Sequence, residues 1–140
     1  MDTQTISAIE AASFFESNSD ALYVDVRTVA EFSLGHPKIR CVNIPVIFRY
    51  PGSDRVLDND AFLLVVSHII SEADIVIVGS ACNARAQQAA KIMATSGLVK
   101  IQSLADGHLG WIKAGMPSTK DNRDGVSYAS LLTSARRAKK

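Results

Sequence analysis

Three side chains with chemical potential fall within one six-residue span, Ser80, Cys82 and Arg85. They follow the apolar run IVIVG at 75–79 and precede the helix-like stretch AQQAAKIM at 86–93. Of the three, only a cysteine thiolate is a ready nucleophile near neutral pH. A serine hydroxyl is not significantly ionised there, and an arginine binds anions without attacking them. The loop's other members, Ala81, Asn83 and Ala84, are small. A short turn of this kind, entering a helix whose first N–H groups are free, can aim backbone donors and the positive end of the helix dipole at one point. Ser80, Ala81, Cys82, Asn83, Ala84 and Arg85 are therefore predicted to form an anion-binding nest. Asn83 is expected to supply the positive φ such a curl needs, and Arg85 either to cover the anion or to brace the loop. Taken alone, the loop also fits a plain βα turn that holds nothing, because it has no glycine-rich fingerprint.

Cys82 has two readings, a displaced nucleophile acidified by the helix dipole or a small loop residue without a role. Cys41 lies among apolar residues and reads as a buried core thiol. Asp25 and Arg27 could shape a pocket floor, with Arg27 braced by an ion pair to Glu31. His36 reads as a hydrogen bonder at a helix end and Trp111 as core. The three histidines, His36, His68 and His108, show no ligand spacing with the two cysteines, so neither a metal nor any other cofactor is expected.

These residues need a scaffold. The segment SAIEAASFFES predicts a helix capped by Ser7, with Ile9, Ala12 and Phe15 on one face. ALYVDV, CVNIPV, IVIVG and VKIQSL read as strands. TVAEFSLGH reads as a short helix with a Thr28 cap, Glu31 in its first turn and a stop at Gly35. Residues 48–57 read as a surface loop with a Pro-Gly turn. DNDAFLLVVSHIISEAD predicts a helix capped by Asp58 or Asn59, the helix after Arg85 ends with Gly97 at C′, and GHLGWIKAGMP is a short helix. After the polar stretch STKDNRDG, VSYASLLTSARRAKK predicts an amphipathic helix fraying into a basic tail. Strands alternating with helices indicate an α/β fold with a parallel sheet, whose ligands sit at the carboxyl ends of the strands.

The chain has 140 residues, 47% of them hydrophobic and 21% charged, with a net charge of +1. That composition suits one globular domain and gives no electrostatic reason for a nucleic-acid partner. No apolar run nears the ~20 residues of a membrane helix. No basic n-region with an apolar h-region opens the chain, and reduced thiols fit a cytoplasmic location.

Three motifs resemble those of rhodanese-like domains. DVRTVAEFSLGH at 25–36, with VNIP at 42–45, is similar to the family's D-V-R-x-x-x-E-F-x-x-G-H signature and its following N-I-P. LADGHLGWIKAGMP at 104–117 is similar to the closing G-x-x-x-W-x-x-x-G-x-P. The likeness covers roughly residues 5–118, and the opening helix shares it. It implies a rhodanese-like fold, with a five-stranded parallel sheet flanked by helices on both faces. Residues 1–120 form that domain, and 121–140 are a linker, a helix and the tail. The family's active-site loop resembles C-x-x-G-x-R-S-x-x-A-A. Arg85 and Ala89–Ala90 set the register. Ser80 then stands where the sulfur-carrying cysteine would be, Asn83 where glycine is usual, and Ala86 follows the arginine in place of serine.

The implied function is a degenerate module that binds a small anion or sulfur compound, or has a regulatory role with a protein partner. The alternative is a sulfurtransferase that uses Cys82. A phosphatase is weaker, because the span from Ser80 to Arg85 has the length typical of sulfur substrates and does not begin with cysteine.

Overall fold

The computed structural model describes residues 4–50, 52–71, 74–98 and 100–139. The reading of the first three residues, Pro51 of the Pro-Gly turn, Glu72 and Ala73 at the end of the third expected helix, Val99 and Lys140 lie outside them. The described chain runs β1 (Thr5–Ile6), α1 (Ala8–Ser17), β2 (Leu22–Asp25), α2 (Val29–Leu34), β3 (His36–Pro37), β4 (Cys41–Asn43) and β5 (Ile47–Arg49). It continues through β6 (Val56–Asp58), α3 (Phe62–Ile69), β7 (Val76–Gly79), α4 (Asn83–Ala94), β8 (Ile101–Leu104), α5 (Gly107–Lys113), β9 (Ser118–Thr119) and α6 (Tyr128–Lys139).

Five strands make the main sheet in the order β1-β8-β7-β2-β4, with every neighbouring pair parallel. The run IVIVG becomes β7 at the centre, where both faces of a strand are covered and both must be apolar. Val76 and Val78 enter a core shared with Leu22 and Val24 of β2 and with α3, α4 and α6. Ile77 enters the opposite core, with Tyr23 of β2, Phe15 of α1, Phe32 of α2 and Trp111 of α5. Period-two alternation thus feeds two helix layers from one sheet.

Local signals set most boundaries. Ser7 and Thr28 each accept from the N–H three residues on, while Glu10 and Glu31 return the bond to the cap, so both first turns carry capping boxes. Ala8, Ala11 and Phe15 form the buried stripe of α1, and Ile9 is exposed, so the expected face is displaced around the helix. The fifth strand is only Thr5–Ile6, too short to show a period in sequence.

Residues 48–57 are not simply a loop. Their flanks form an antiparallel hairpin, Ile47 opposite Asp58 and Arg49 opposite Val56. Asp58 is therefore strand, and neither it nor Asn59 is the N-cap of α3, which begins after Ala61. Asn59 instead accepts from Ala61 N–H at 3.0 Å and donates to Pro45 O and the Tyr128 hydroxyl at 2.7 and 2.9 Å. Gly97, at φ +95°, falls beyond the C-cap residue Thr95 by two positions rather than one.

The chain after residue 120 packs back onto the sheet. Val126 O accepts from Asn43 N at 3.0 Å on edge strand β4, and Tyr128, Leu131 and Ala135 of α6 enter the core. Helix continues through the basic residues to Lys139 rather than fraying. Arg136, Arg137 and Lys139 occupy its last turn, where they complement the dipole.

Candidate functional site

The site forms where β2 and β7 end side by side, with Asp25 opposite Gly79. Helix α4 starts earlier than its sequence suggests. Cys82 is its N-cap, and Asn83, Ala84 and Arg85 make the first turn, leaving Ser80–Cys82 as the connection. No residue there has positive φ, so the expected left-handed Asn83 does not occur. Asn83 Oδ1 instead accepts from Ser103 Oγ at 3.1 Å, and Ser103 Oγ accepts from Gln87 Nε2 at 2.7 Å. The amide thus fixes the start of α4 against β8.

Among the described residues, the N–H groups of Ala81 through Arg85 have no internal acceptor, and the first helical bond is Ala86 N to Cys82 O. Residues 81–84 are exposed, so these donors open on solvent at the positive end of a twelve-residue helix. Arg85 is half-buried and makes no hydrogen bond or ion pair among the described residues. It does not brace the loop, and its guanidinium remains free beside the helix start.

Ser80 and Cys82 face different surroundings. Ser80 is 1% exposed, and its Oγ is buried without a hydrogen-bond partner. The Cys82 thiol is free and its residue exposed, whereas Cys41 is buried as expected and burial pushes its thiol well above the usual range.

Asp25 and Arg27 form a buried ion pair at the end of β2, and among the described residues the expected Arg27–Glu31 pair is absent. Glu31 is engaged by Thr28, accepting from its N–H and hydroxyl at 3.1 and 3.0 Å. Arg27 Nε and Nη2 instead fork onto Asp25, the shortest contact being 2.8 Å, and Nη2 also reaches Gly35 O at 2.6 Å. Burial raises the Asp25 carboxyl, and the Arg27 bonds oppose that rise. Asn43 Nδ2 donates at 3.0 Å to the carbonyls of both Asp25 and Arg27, holding the end of β2 to β4. His36 is buried, stacked on Phe32 at 3.7 Å, with Nε2 2.7 Å from Asp121 O. Trp111 is core, its Nε1 donating to Pro117 O at 2.6 Å.

Two glycines and a histidine escaped the sequence reading. A Cβ on Gly79 would collide with the Tyr23 hydroxyl, and one on Gly107, at φ +56°, with the Ser80 carbonyl oxygen. Both glycines follow or precede a turn at a strand's carboxyl end, which was the available signal. His108 donates its backbone N–H to Ser80 O at 3.3 Å, linking α5 to the loop. The residue is 7% exposed, its Nδ1 is buried and unpartnered, and burial, aided by Arg27 and His36, lowers its pKa to about 4. A histidine that is neutral when folded but titrates near 6.5 when unfolded stabilises fully above pH 6.5. That stability is lost as pH falls toward 4. His108→Gln is therefore expected to remove up to about 3 kcal/mol of acid sensitivity between those limits, read as the difference between the two proteins' urea midpoints across pH. Taking the difference cancels Asp25, whose raised pKa acts in the opposite sense.

Beside Ala81 the surface sinks into a cavity of about 440 Å³, bounded by Arg27, Glu31 and His108 and by Leu34, Leu109 and Ile112. A larger groove of about 1090 Å³ lies between β4 and α6, away from the loop.

A parallel five-stranded sheet flanked by helices, with a short loop leading from its central strand into a helix, is the class of α/β fold that the structure defines. The chain belongs to the rhodanese-like domain family. It is 33% identical over 103 residues to thiosulfate sulfurtransferase 18 of Arabidopsis thaliana, covering 73% of this chain and 74% of that protein. It is 36% identical over 95 residues to the chloroplastic rhodanese-like domain-containing protein 15 of the same plant, covering 68% of this chain and 50% of that protein. The senescence-associated protein DIN1 of Raphanus sativus is 35% identical over an equal share, so the chain spans about half the length of these two relatives. No family model matches. The fold is shared with the rhodanese-like domain of an Anabaena sp. protein, at a TM-score of 0.68 and 18% identity over 85% of this chain and 80% of that one. A rhodanese-related protein from Thermoplasma volcanium matches at 0.62 and 22%, over 84% and 99%. Among the described residues no helix is long and apolar enough to cross a membrane.

Proposed function

We propose that this chain is a rhodanese-like module that binds a small anion or sulfur compound at the start of α4 and does not carry sulfur by the family's usual route. Regulation, with a protein partner reading the occupied loop, is the role such a module suits. The observation that carries this reading is Ser80. The resemblance puts a sulfur nucleophile at this position, and the side chain found there is a buried hydroxyl with no partner. A hydroxyl forms no stable analogue of a persulfide. The free N–H groups of residues 81–85 and the unpaired Arg85 supply the attraction for an anion.

The test is amide hydrogen exchange with sulfate or phosphate. At about ten times Kd, exchange at residues 81–85 should slow about tenfold. Unchanged exchange under saturating anion contradicts the reading.

One observation favours a second reading. Cys82 exposes its thiol at the N-cap of α4, and named relatives include thiosulfate sulfurtransferases. Under it, the Cys82 thiolate attacks the sulfane sulfur of thiosulfate, the S–S bond breaks, sulfite leaves with the bonding pair, and the persulfide passes its sulfur to cyanide. Turnover by the native chain that vanishes in Cys82→Ala would establish it and remove the first.

A further inference from the structure

The cavity beside the loop has a composition that the loop's affinity for anions does not explain. Its ionisable lining leaves no free cation, and its one uncompensated charge is the Glu31 carboxylate. Arg27 is paired with Asp25, Glu31 is engaged by Thr28, and His108 is uncharged at neutral pH. What remains open to a visitor is hydrocarbon. Leu34 is 77% exposed, Leu109 57% and Ile112 50%, all at the rim of the same 440 Å³ space. Ala81 belongs both to this space and to the row of free N–H donors. Large aliphatic side chains left in water around a concave space are a ligand's contact surface more often than an accident of packing. Inorganic sulfate would leave all three in water.

We infer that the site takes an organic anion, with its charged head on the loop at residues 81–85 and an apolar body of about one aromatic ring against Leu34, Leu109 and Ile112. This rests on the anion-binding reading given above and adds the ligand class to it. The volume is within the range of small-molecule sites and admits a ring. The two halves are complementary in kind. The loop offers donors and a cation without hydrocarbon, while the cavity offers hydrocarbon and, in Glu31, a carboxylate that keeps an anionic head at the loop end. Leu109 is then a specificity-determining residue, since it lies one position beyond His108 and faces the space from α5.

The experiment compares benzenesulfonate with sulfate by titration calorimetry and by amide chemical-shift changes, in the native chain and in Leu109→Asn. Benzenesulfonate should bind about tenfold more tightly than sulfate and shift amides at both 81–85 and 109–112. The preference should shrink toward unity in Leu109→Asn, whose exposed site lets the fold survive the change. Equal affinities for the two anions in the native chain overturn the apolar half and leave the loop reading intact. No binding of either overturns both. A preference that Leu109→Asn does not alter places the ring elsewhere and also overturns the inference.

Discussion

Ser80→Cys is expected to raise thiosulfate:cyanide sulfurtransfer from background by a factor on the order of 10² or more, since removing a nucleophile can cost up to ~10⁶. The substitution exchanges one atom just after β7, so the strand register, the Asp25–Arg27 pair and the free N–H groups of 81–85 stay in place. A thiol near the positive end of α4 has its thiolate stabilised by the same donors that would otherwise face a bound oxyanion. Thiocyanate formation from thiosulfate and cyanide, measured on reduced native protein beside Ser80→Cys, reads the effect. An inert variant would mean that loss of the nucleophile is not the sole defect. Asn83, held by Ser103, and Ala86, buried in the core, would then be the next suspects, because the family usually has glycine and serine there.

The second large effect concerns the buried Asp25–Arg27 pair. Arg27→Met should cost about 3–5 kcal/mol of stability at pH 7, because it leaves the fully buried Asp25 carboxylate without its guanidinium. Methionine retains most of the arginine's hydrocarbon volume, so the loss reports charge more than packing. The backbone N–H of residue 27 still donates to Asp25 Oδ1 at 3.1 Å, too little to hold a buried charge. With Arg27 gone, burial acts unopposed and the Asp25 pKa rises further. Since that folded pKa lies above the unfolded one, acidification favours the folded variant, and its deficit should narrow as pH falls through the raised value. Urea denaturation at several pH values checks both statements. The double variant Asp25→Asn with Arg27→Met should recover much of the loss. A single variant as stable as the native chain would mean that Asp25 does not need its partner.

Much of the scaffold was legible in sequence because its signals are local. Ser7…Glu10 and Thr28…Glu31 spell capping boxes, and Val76 to Gly79 can only be a strand covered on both sides. The hairpin of β5 and β6 was not legible. Val56 and Leu57 are exposed, so their strand has no apolar alternation to betray it. The site was legible in identity and not in partnership. Ser80, Cys82 and Arg85 were found by position. That Arg27 chooses Asp25 over Glu31 depends on where the end of β2 is buried, which residue spacing on a helix cannot express. Asn83 misled because its tolerance for positive φ is a property of the residue, while its contact with Ser103 is a property of the neighbouring strand. His108 was invisible as a partner of the loop for the same reason.

The most direct measurement is the intact mass of the reduced native chain after incubation with thiosulfate, followed by peptide mapping. A loop that keeps its donors but has a hydroxyl at position 80 should leave the mass unchanged, while Ser80→Cys gains one sulfur atom at residue 80. One added sulfur on the native chain, mapped to Cys82, would contradict it.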